Sequence, residues 1–304
     1  MTIIEFVGTN NIGGGETYSL RLSEWLRTRG HRVIYVVNED SLMRAEVEKR
    51  GFETHSWPLF RGRRKRKLYA LLRMCLLLRR QRVDVVHTQM SFANTVGGWT
   101  GKFCRVPVVA HAQSMDSAKA YHHSTYIVAV AKAVRHHLMQ QQIDGARIHV
   151  VYNGVSLEGL EPITFAERLA ARERWNLDSE TPVIAVLANL RVRKGHRFLL
   201  EAMALLQQED SGRASRIVAL FAGEGEELAS LQELADKLGL SHRVRFLGFC
   251  DNVPEVLAAS DAFVLPSSKE GLSIAVTEAM AREIPVVTTD VGGLPEVVRE
   301  GETG

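Results

Sequence analysis

The sequence predicts an α/β protein made of two doubly wound, Rossmann-like halves facing a cleft, one over residues 1–154 and one over 155–304. Three observations point to that class. Short Val/Ile-rich runs alternate with longer helical patterns, as in parallel sheets covered by helices on both faces. The alternation pauses once, at Asn153-Gly154, and residues 154–163, with Gly159 and Pro162, read as a linker. The formal charge also changes sign across that break, from +12 over residues 1–152 to −9 over 153–304. Opposite charge on two halves suggests different partners for each.

Strands are expected at Ile3–Val7, Arg32–Val37, Glu53–Ser56, Val83–His87, Val106–His111, Tyr126–Val130 and Ile148–Tyr152. Each is a run rich in Val, Ile or aromatic residues. Helices are expected between them at Glu16–Arg29, Leu42–Arg50, Lys67–Gln81, Ala93–Phe103 and Ala133–Gln141. After the linker the pattern restarts, with strands at Val183–Leu187, Ile217–Ala222, Val244–Phe246, Ala262–Leu265 and Pro285–Thr288. Helices there are expected at Phe165–Trp175, His196–Gln208, Glu226–Leu238, Val253–Ala259 and Ser273–Arg282. In such folds ligands bind outside the carboxyl ends of the strands.

Composition narrows the class further. The chain has 304 residues, 45% of them apolar, which permits ordinary cores and argues against disorder. Cys75, Cys104 and Cys250 are odd in number and lack metal spacing, which suits a reducing compartment. The N-terminal apolar run lacks a basic flank and is too short for a signal peptide, and no stretch is long enough to span a membrane. The expectation is a cytoplasmic protein that can rest on the inner face of the cytoplasmic membrane.

Several motifs sit where strands end. Gly13-Gly14-Gly15-Glu16 follows the first strand; it reads either as a close backbone approach to a phosphate or sugar, or as a tight turn. It is not the dinucleotide fingerprint, so it gives only weak support to a dinucleotide cofactor. Arg61–Lys67, RGRRKRK, reads as a patch for anionic lipid or an acidic acceptor, or as a solvated loop; without interleaved aromatics it does not favour nucleic acid. His87 and His111 both close predicted strands, and His111 is the stronger functional candidate. Asn189, Arg191, Arg193 and Lys194 precede a helix, where cations can neutralise a diphosphate. Gly223-Glu224-Gly225 and Arg245-Phe246-Leu247-Gly248 follow or end two later strands.

The densest stretch runs from Leu265 to Glu296. It reads as strand, loop, helix, strand and Gly-Gly loop, with Glu270 before the helix and Glu278 within it. Two carboxylates eight residues apart can face one polyhydroxylated ligand. Free N–H groups and the positive dipole end at the helix start suit a phosphate.

Taken in order, Gly-Gly-x-Glu, a strand-end His, Leu-x3-Lys-Gly, Gly-x-Gly, Phe-Leu-Gly and Glu270-x7-Glu278 followed by Gly-Gly-x-x-Glu resemble the family 4 (group 1) glycosyltransferases. These are retaining, nucleotide-sugar-dependent enzymes of the GT-B fold. The resemblance implies an acceptor-binding N-terminal domain and a donor-binding C-terminal one. It implies that Glu278 holds the ribose, that Glu270 accepts hydrogen bonds from the donor sugar, and that the N–H groups of Leu272 and Ser273, after Gly271, meet the phosphates. Lys194 would stabilise the departing diphosphate. Gly13, Gly14 and His111 would border the sugar, with Asn189, Arg191, Gly223 and Leu247 completing the donor site. The implied co-substrate is a UDP- or GDP-type sugar, with no other cofactor and no metal. The acceptor would be a glycan or glycolipid, suited by charge to an anionic one. The sequence departs from the family at Asn189, where an Arg is common. Family members also continue beyond Gly-Gly-x-x-Glu into helices that this chain is expected to lack.

Overall fold

The structure is a computed structural model of the chain, and it describes all residues except 11, 60–65, 210, 211, 213 and 251. The chain divides into two compact units, Met1–Asn153 and Gly154–Gly304. The division falls one residue before the predicted one, inside the Asn-Gly dipeptide.

Among the described residues the first unit carries seven strands, β1 (Thr2–Val7), β2 (Arg32–Asn38), β3 (Glu53–Trp57), β4 (Val85–Gln89), β5 (Val108–Ala112), β6 (Tyr126–Ala129) and β7 (Ile148–Val150). Its described helices are α1 (Gly14–Thr28), α2 (Leu42–Lys49), α3 (Arg66–Gln81), α4 (Met90–Cys104) and α5 (Lys132–Gln140). The strands pair in parallel in the order β3-β2-β1-β4-β5-β6-β7. The chain therefore winds in opposite directions from β1 and β4, and their carboxyl ends form the switch point where such sheets open a crevice.

The second unit carries α6 (Phe165–Arg174), β8 (Val183–Leu187), α7 (His196–Glu209), β9 (Val218–Ala222), α8 (Leu228–Lys237), β10 (Val244–Gly248), α9 (Val253–Ala259), β11 (Ala262–Leu265), α10 (Ile274–Ala281) and β12 (Val286–Thr288). Its strands are also parallel, in the order β10-β9-β8-β11-β12, which places the switch point between β8 and β11.

The apolar runs follow from burial on both sheet faces. In β2, Ile34 and Val36 pack into one core with Trp57, Met74 and Leu78. Val33, Tyr35 and Val37 point the other way, into a core with Leu20, Met43 and Phe52. Successive side chains alternate across a strand, so a strand covered twice is apolar throughout. In the second unit, Ala185 and Val183 meet Phe263 and Val276 on one face, while Val186 meets Leu200, Phe221 and Leu231 on the other.

Some boundaries move. The sequence predicts β4 from Val83 to His87, but the strand runs from Val85 to Gln89. Arg82, in the left-handed region (φ 49°), closes α3, and the Asp84 side chain accepts from the Thr2 amide at 2.7 Å before the ladder begins. His87 thus sits in mid-strand rather than at its end. α4 begins at once, with Met90 in the left-handed region (φ 71°). Pro107 lacks an N–H, and β5 starts after it. The predicted basic run lies mostly outside the described residues; Arg66 and Lys67 open α3. Among the described residues no helix is long and apolar enough to cross a membrane.

Candidate active site

At the carboxyl edge of the second sheet, the loops are tied to one another in the order of the strands. Gly223 donates to the Gly248 carbonyl (2.8 Å), which joins the β9 and β10 ends. Leu190 donates to the Glu224 carbonyl (2.9 Å) and accepts from the Glu227 amide (3.1 Å), which joins the loops after β8 and β9. Ser268 donates to the Arg193 carbonyl (2.8 Å) across the β8–β11 switch point. Gly293 donates to the Gly271 carbonyl (2.8 Å), and the Thr289 hydroxyl donates to the Ser267 carbonyl, so the loops after β11 and β12 are joined as well.

Two glycines show why the motif residues are what they are. Gly195 has φ 72°, and a Cβ there would lie 1.9 Å from the Pro266 carbonyl oxygen. Gly292 has φ 58°, and its Cβ would lie 1.9 Å from the Glu270 carbonyl oxygen. Both need the left-handed region and a bare Cα, so only glycine serves.

This edge brings Lys194 and Glu270 together. Lys194 ends a single 3₁₀ turn, Val192–Lys194, and its Nζ is 2.5 Å from Glu270 Oε1. The same oxygen accepts from the Ser267 hydroxyl at 2.8 Å. The two side chains are 14% and 7% exposed, so the pair is largely out of water. A partly desolvated lysine and carboxylate beside a helix start can exchange each other for the phosphate and hydroxyl groups of a ligand. Ser273 caps α10 with its hydroxyl on the Val276 amide (3.4 Å), and Leu272 and Ser273 are buried behind it. Glu278 stands half-buried in the second turn of α10. Leu247 is the extra residue of a bulge: Phe246 pairs with Phe221 and Gly248 with Ala222. Asn189 and Arg191 are exposed in the loop after β8.

Gly13, Gly14 and His111 belong to the first unit, at the carboxyl edge of its own sheet. Gly13 caps α1, and the Glu16 carboxylate accepts its backbone N–H at 2.9 Å. The acid of the Gly-Gly-x-Glu motif is therefore a helix cap. Gly15 is the crowded glycine, since a Cβ there would lie 2.3 Å from Gln113 Oε1. His111, on β5, is 1% exposed, and Tyr18 meets its ring edge-on at 4.6 Å between centroids. Contact with a ligand requires that cover, of which Tyr18 is part, to shift. Burial, with His87 adding to it, holds the His111 pKa well below the usual value, so the ring is neutral.

Two further histidines gain a meaning that spacing did not supply. His87 Nδ1 is 2.6 Å from Glu5 Oε2, and both residues are buried. His196, the first residue of α7, is 2% exposed with neither ring nitrogen hydrogen-bonded. Burial, with Lys194 adding to it, pushes its pKa down to about 4. A polar residue at a helix start reads as surface, and only the fold shows it packed on Phe221, 5.1 Å between ring centroids.

Comparison with known proteins places this edge in context. A model described as Glycosyltransferase Family 4 matches residues 12–158, and one described as Glycosyl transferases group 1 matches residues 167–304. The chain is 35% identical over 164 residues to the putative glycosyltransferase EpsD of Bacillus subtilis (strain 168), covering 54% of this chain and 42% of that protein. It is 23% identical over 323 residues to the N-acetyl-alpha-D-glucosaminyl L-malate synthase of Bacillus anthracis, covering 97% and 80%. The chain thus spans less than half of the first relative and four-fifths of the second. In fold it is similar to Anabaena Alr3699/HepE in complex with UDP-glucose, with a TM-score of 0.86 at 20% identity over 99% of this chain and 84% of that one. Both units, their all-parallel sheets and both family matches lead to one conclusion: the chain belongs to the family 4 (group 1) glycosyltransferases and has their GT-B fold.

Proposed function

We propose that the chain is a retaining, metal-independent hexosyltransferase that moves a sugar from a UDP- or GDP-type donor to a glycan or glycolipid acceptor. The observation that carries this reading is the Lys194–Glu270 pair, held at the β8–β11 switch point beside the start of α10. In the reading, the second unit binds the donor and the first the acceptor. Glu278 holds the ribose, and the N–H groups of Leu272 and Ser273 meet the diphosphate. Lys194 leaves Glu270 to neutralise the phosphate charge that develops as the sugar departs, and Glu270 turns to the sugar hydroxyls. The departing diphosphate takes the acceptor proton, so no separate base is required. UDP-glucose in the similar HepE structure supports a uridine donor.

The acceptor would be used in lipopolysaccharide, exopolysaccharide or glycolipid synthesis at the inner face of the cytoplasmic membrane. The positive first half favours an anionic acceptor or lipid surface. Leu68, Leu72 and Leu76 are exposed on α3 at a spacing of four, next to Arg66 and Lys67, which supports peripheral contact there. A second reading, a non-catalytic nucleotide-sugar-binding protein of the same fold, is favoured by Asn189, exposed where a phosphate-binding arginine is common.

Thermal shift with a panel of UDP- and GDP-sugars, followed by transfer assays with and without EDTA, tests the proposal. Stabilisation by one donor with EDTA-resistant turnover and retained anomeric configuration is the expected result. Binding without transfer or hydrolysis for any donor would leave the second reading instead.

A further inference from the structure

A buried polar network crosses the β1–β4 switch point of the first unit, and the steps of the function proposed above use none of it. Glu5, in the middle of β1, has no exposed surface. A buried acid is costly unless donors surround it. Three converge on it: His87 Nδ1 lies 2.6 Å from Oε2, while the Ser19 hydroxyl donates to Oε1 at 2.7 Å and Gln89 Nε2 at 3.3 Å.

The consequence falls on Gln89, which ends β4 and is itself fully buried. An amide has one donor end and one acceptor end. Glu5 attracts the donor end. The other end is taken as an acceptor by Gln113, whose Nε2 donates to Gln89 Oε1 at 2.5 Å. Both ends of the amide are therefore assigned. Its second N–H is then the group that faces His111 Nδ1, at 3.5 Å.

A neutral imidazole carries one proton, and the nitrogen that faces a donor is the one without it. The proton of His111 then lies on Nε2. That atom is buried and has no hydrogen-bond partner, which leaves a donor in an enclosed site with nothing yet to receive it. Tyr18, Gln89 and His87 pack around the ring; His87, 5.6 Å away between centroids, and Glu5 behind it are the titratable neighbours besides Tyr18.

We infer that Glu5, acting through the Gln89 amide, sets the Nε2–H tautomer of His111 and makes it a hydrogen-bond donor to a ligand oxygen, a sugar hydroxyl or a phosphate, instead of a proton acceptor. Glu5 and Gln89 are positioning residues in this arrangement. The identity of the oxygen rests on the transferase reading; the tautomer does not.

Long-range ¹H–¹⁵N correlation spectra of the histidine-labelled full chain at pH 7 read the tautomer directly, with His111→Gln identifying the signal. His111 should show a protonated Nε2 and a bare Nδ1. Gln89→Glu, which places an acceptor at Nδ1, should move the proton to Nδ1, and Glu5→Gln should give a mixture. Should Glu5→Gln fail to fold, Gln89→Leu serves in its place and should also give a mixture. In transfer assays Gln89→Leu should lower kcat about 10-fold, the worth of one hydrogen bond, with donor KM nearly unchanged. A protonated Nδ1 in the unmodified protein, or a tautomer that none of the variants moves, overturns the inference. A tautomer that follows the variants supports it even if the protein transfers no sugar, a result that would count against the transferase reading alone.

Discussion

Lys194 Nζ and Glu270 Oε1, 76 positions apart in the chain, lie 2.5 Å from each other across the β8–β11 switch point. Each is the other's principal counter-charge, and neither is well exposed. The pair therefore has two roles that can be separated by experiment: it holds two loops together, and it supplies a cation and an acid at one place.

Removing one partner strands a charge in a poorly hydrated site. Lys194→Ala should cost about 3 kcal/mol of stability. Lys194→Met/Glu270→Gln, which removes both charges, should recover most of that loss in a denaturant titration. On the proposed reading, transfer should stay low in both proteins, by roughly 10²-fold or more, because the cation assigned to the leaving group is gone in each. If the double variant regains turnover along with stability, Lys194 has only a structural role.

Glu278 separates from Lys194 by what it touches in the proposed complex. Glu278→Ala should weaken binding of the free nucleoside diphosphate about 10-fold, the effect of one charge-assisted hydrogen bond. Calorimetric titration with UDP and GDP checks this, and the affinity for a sugar monophosphate lacking the nucleoside should not change.

Gly292 and Gly239 make a controlled pair. Both have positive φ, 58° and 69°, yet a Cβ on Gly239 meets nothing within 4 Å while one on Gly292 meets the Glu270 carbonyl oxygen at 1.9 Å. Gly239→Ala should cost about 1 kcal/mol, the conformational penalty alone. Gly292→Ala should cost distinctly more and should also reduce donor-induced stabilisation, since the loop it displaces carries Glu270. Equal losses in the two variants would show that crowding at Gly292 is relieved without effect.

His196 predicts a pH dependence. Its folded pKa is depressed to about 4 by burial, with Lys194 contributing, against about 6.5 for an unfolded chain. Between those values the unfolded chain binds more protons, so stability is complete above about pH 6.5 and falls as pH drops toward 4. The loss over that window is on the order of 3 kcal/mol. His196→Leu should flatten the profile of melting temperature against pH in that window, and a profile unchanged by the substitution would contradict the assignment.

Much of the architecture was legible because strands buried on two faces are apolar at every position, as Val33–Val37 show with their alternate contributions to two cores. The ends were less so. The start of β4 depends on Asp84 holding the Thr2 amide, a contact between residues 82 apart, and no local pattern reports it. Lys194, Glu270 and Glu278 are legible as a family pattern, but the pairing of Lys194 with Glu270 is not, since spacing along a chain says nothing about two loops from different strands. Glu5 was invisible for the opposite reason. A single acid inside an apolar strand looks like an exception until β4 is placed beside β1 and His87 and Gln89 are seen to meet it. In the sequence His196 is only the first residue of a helix, because its burial comes from Phe221, on β9.

The lacing of the second unit's edge constrains how this site can be re-engineered. Each loop takes its shape from a carbonyl of its neighbour: Gly195 rests against Pro266, Gly223 against Ala188, Gly225 against Leu190 and Gly292 against Glu270. A loop transplanted alone from a relative with a different length would lose the surface that moulds it. If this edge binds the donor as proposed, donor preference should be portable only as a block of several segments together, or adjustable one residue at a time through exposed positions such as Asn189 and Arg191.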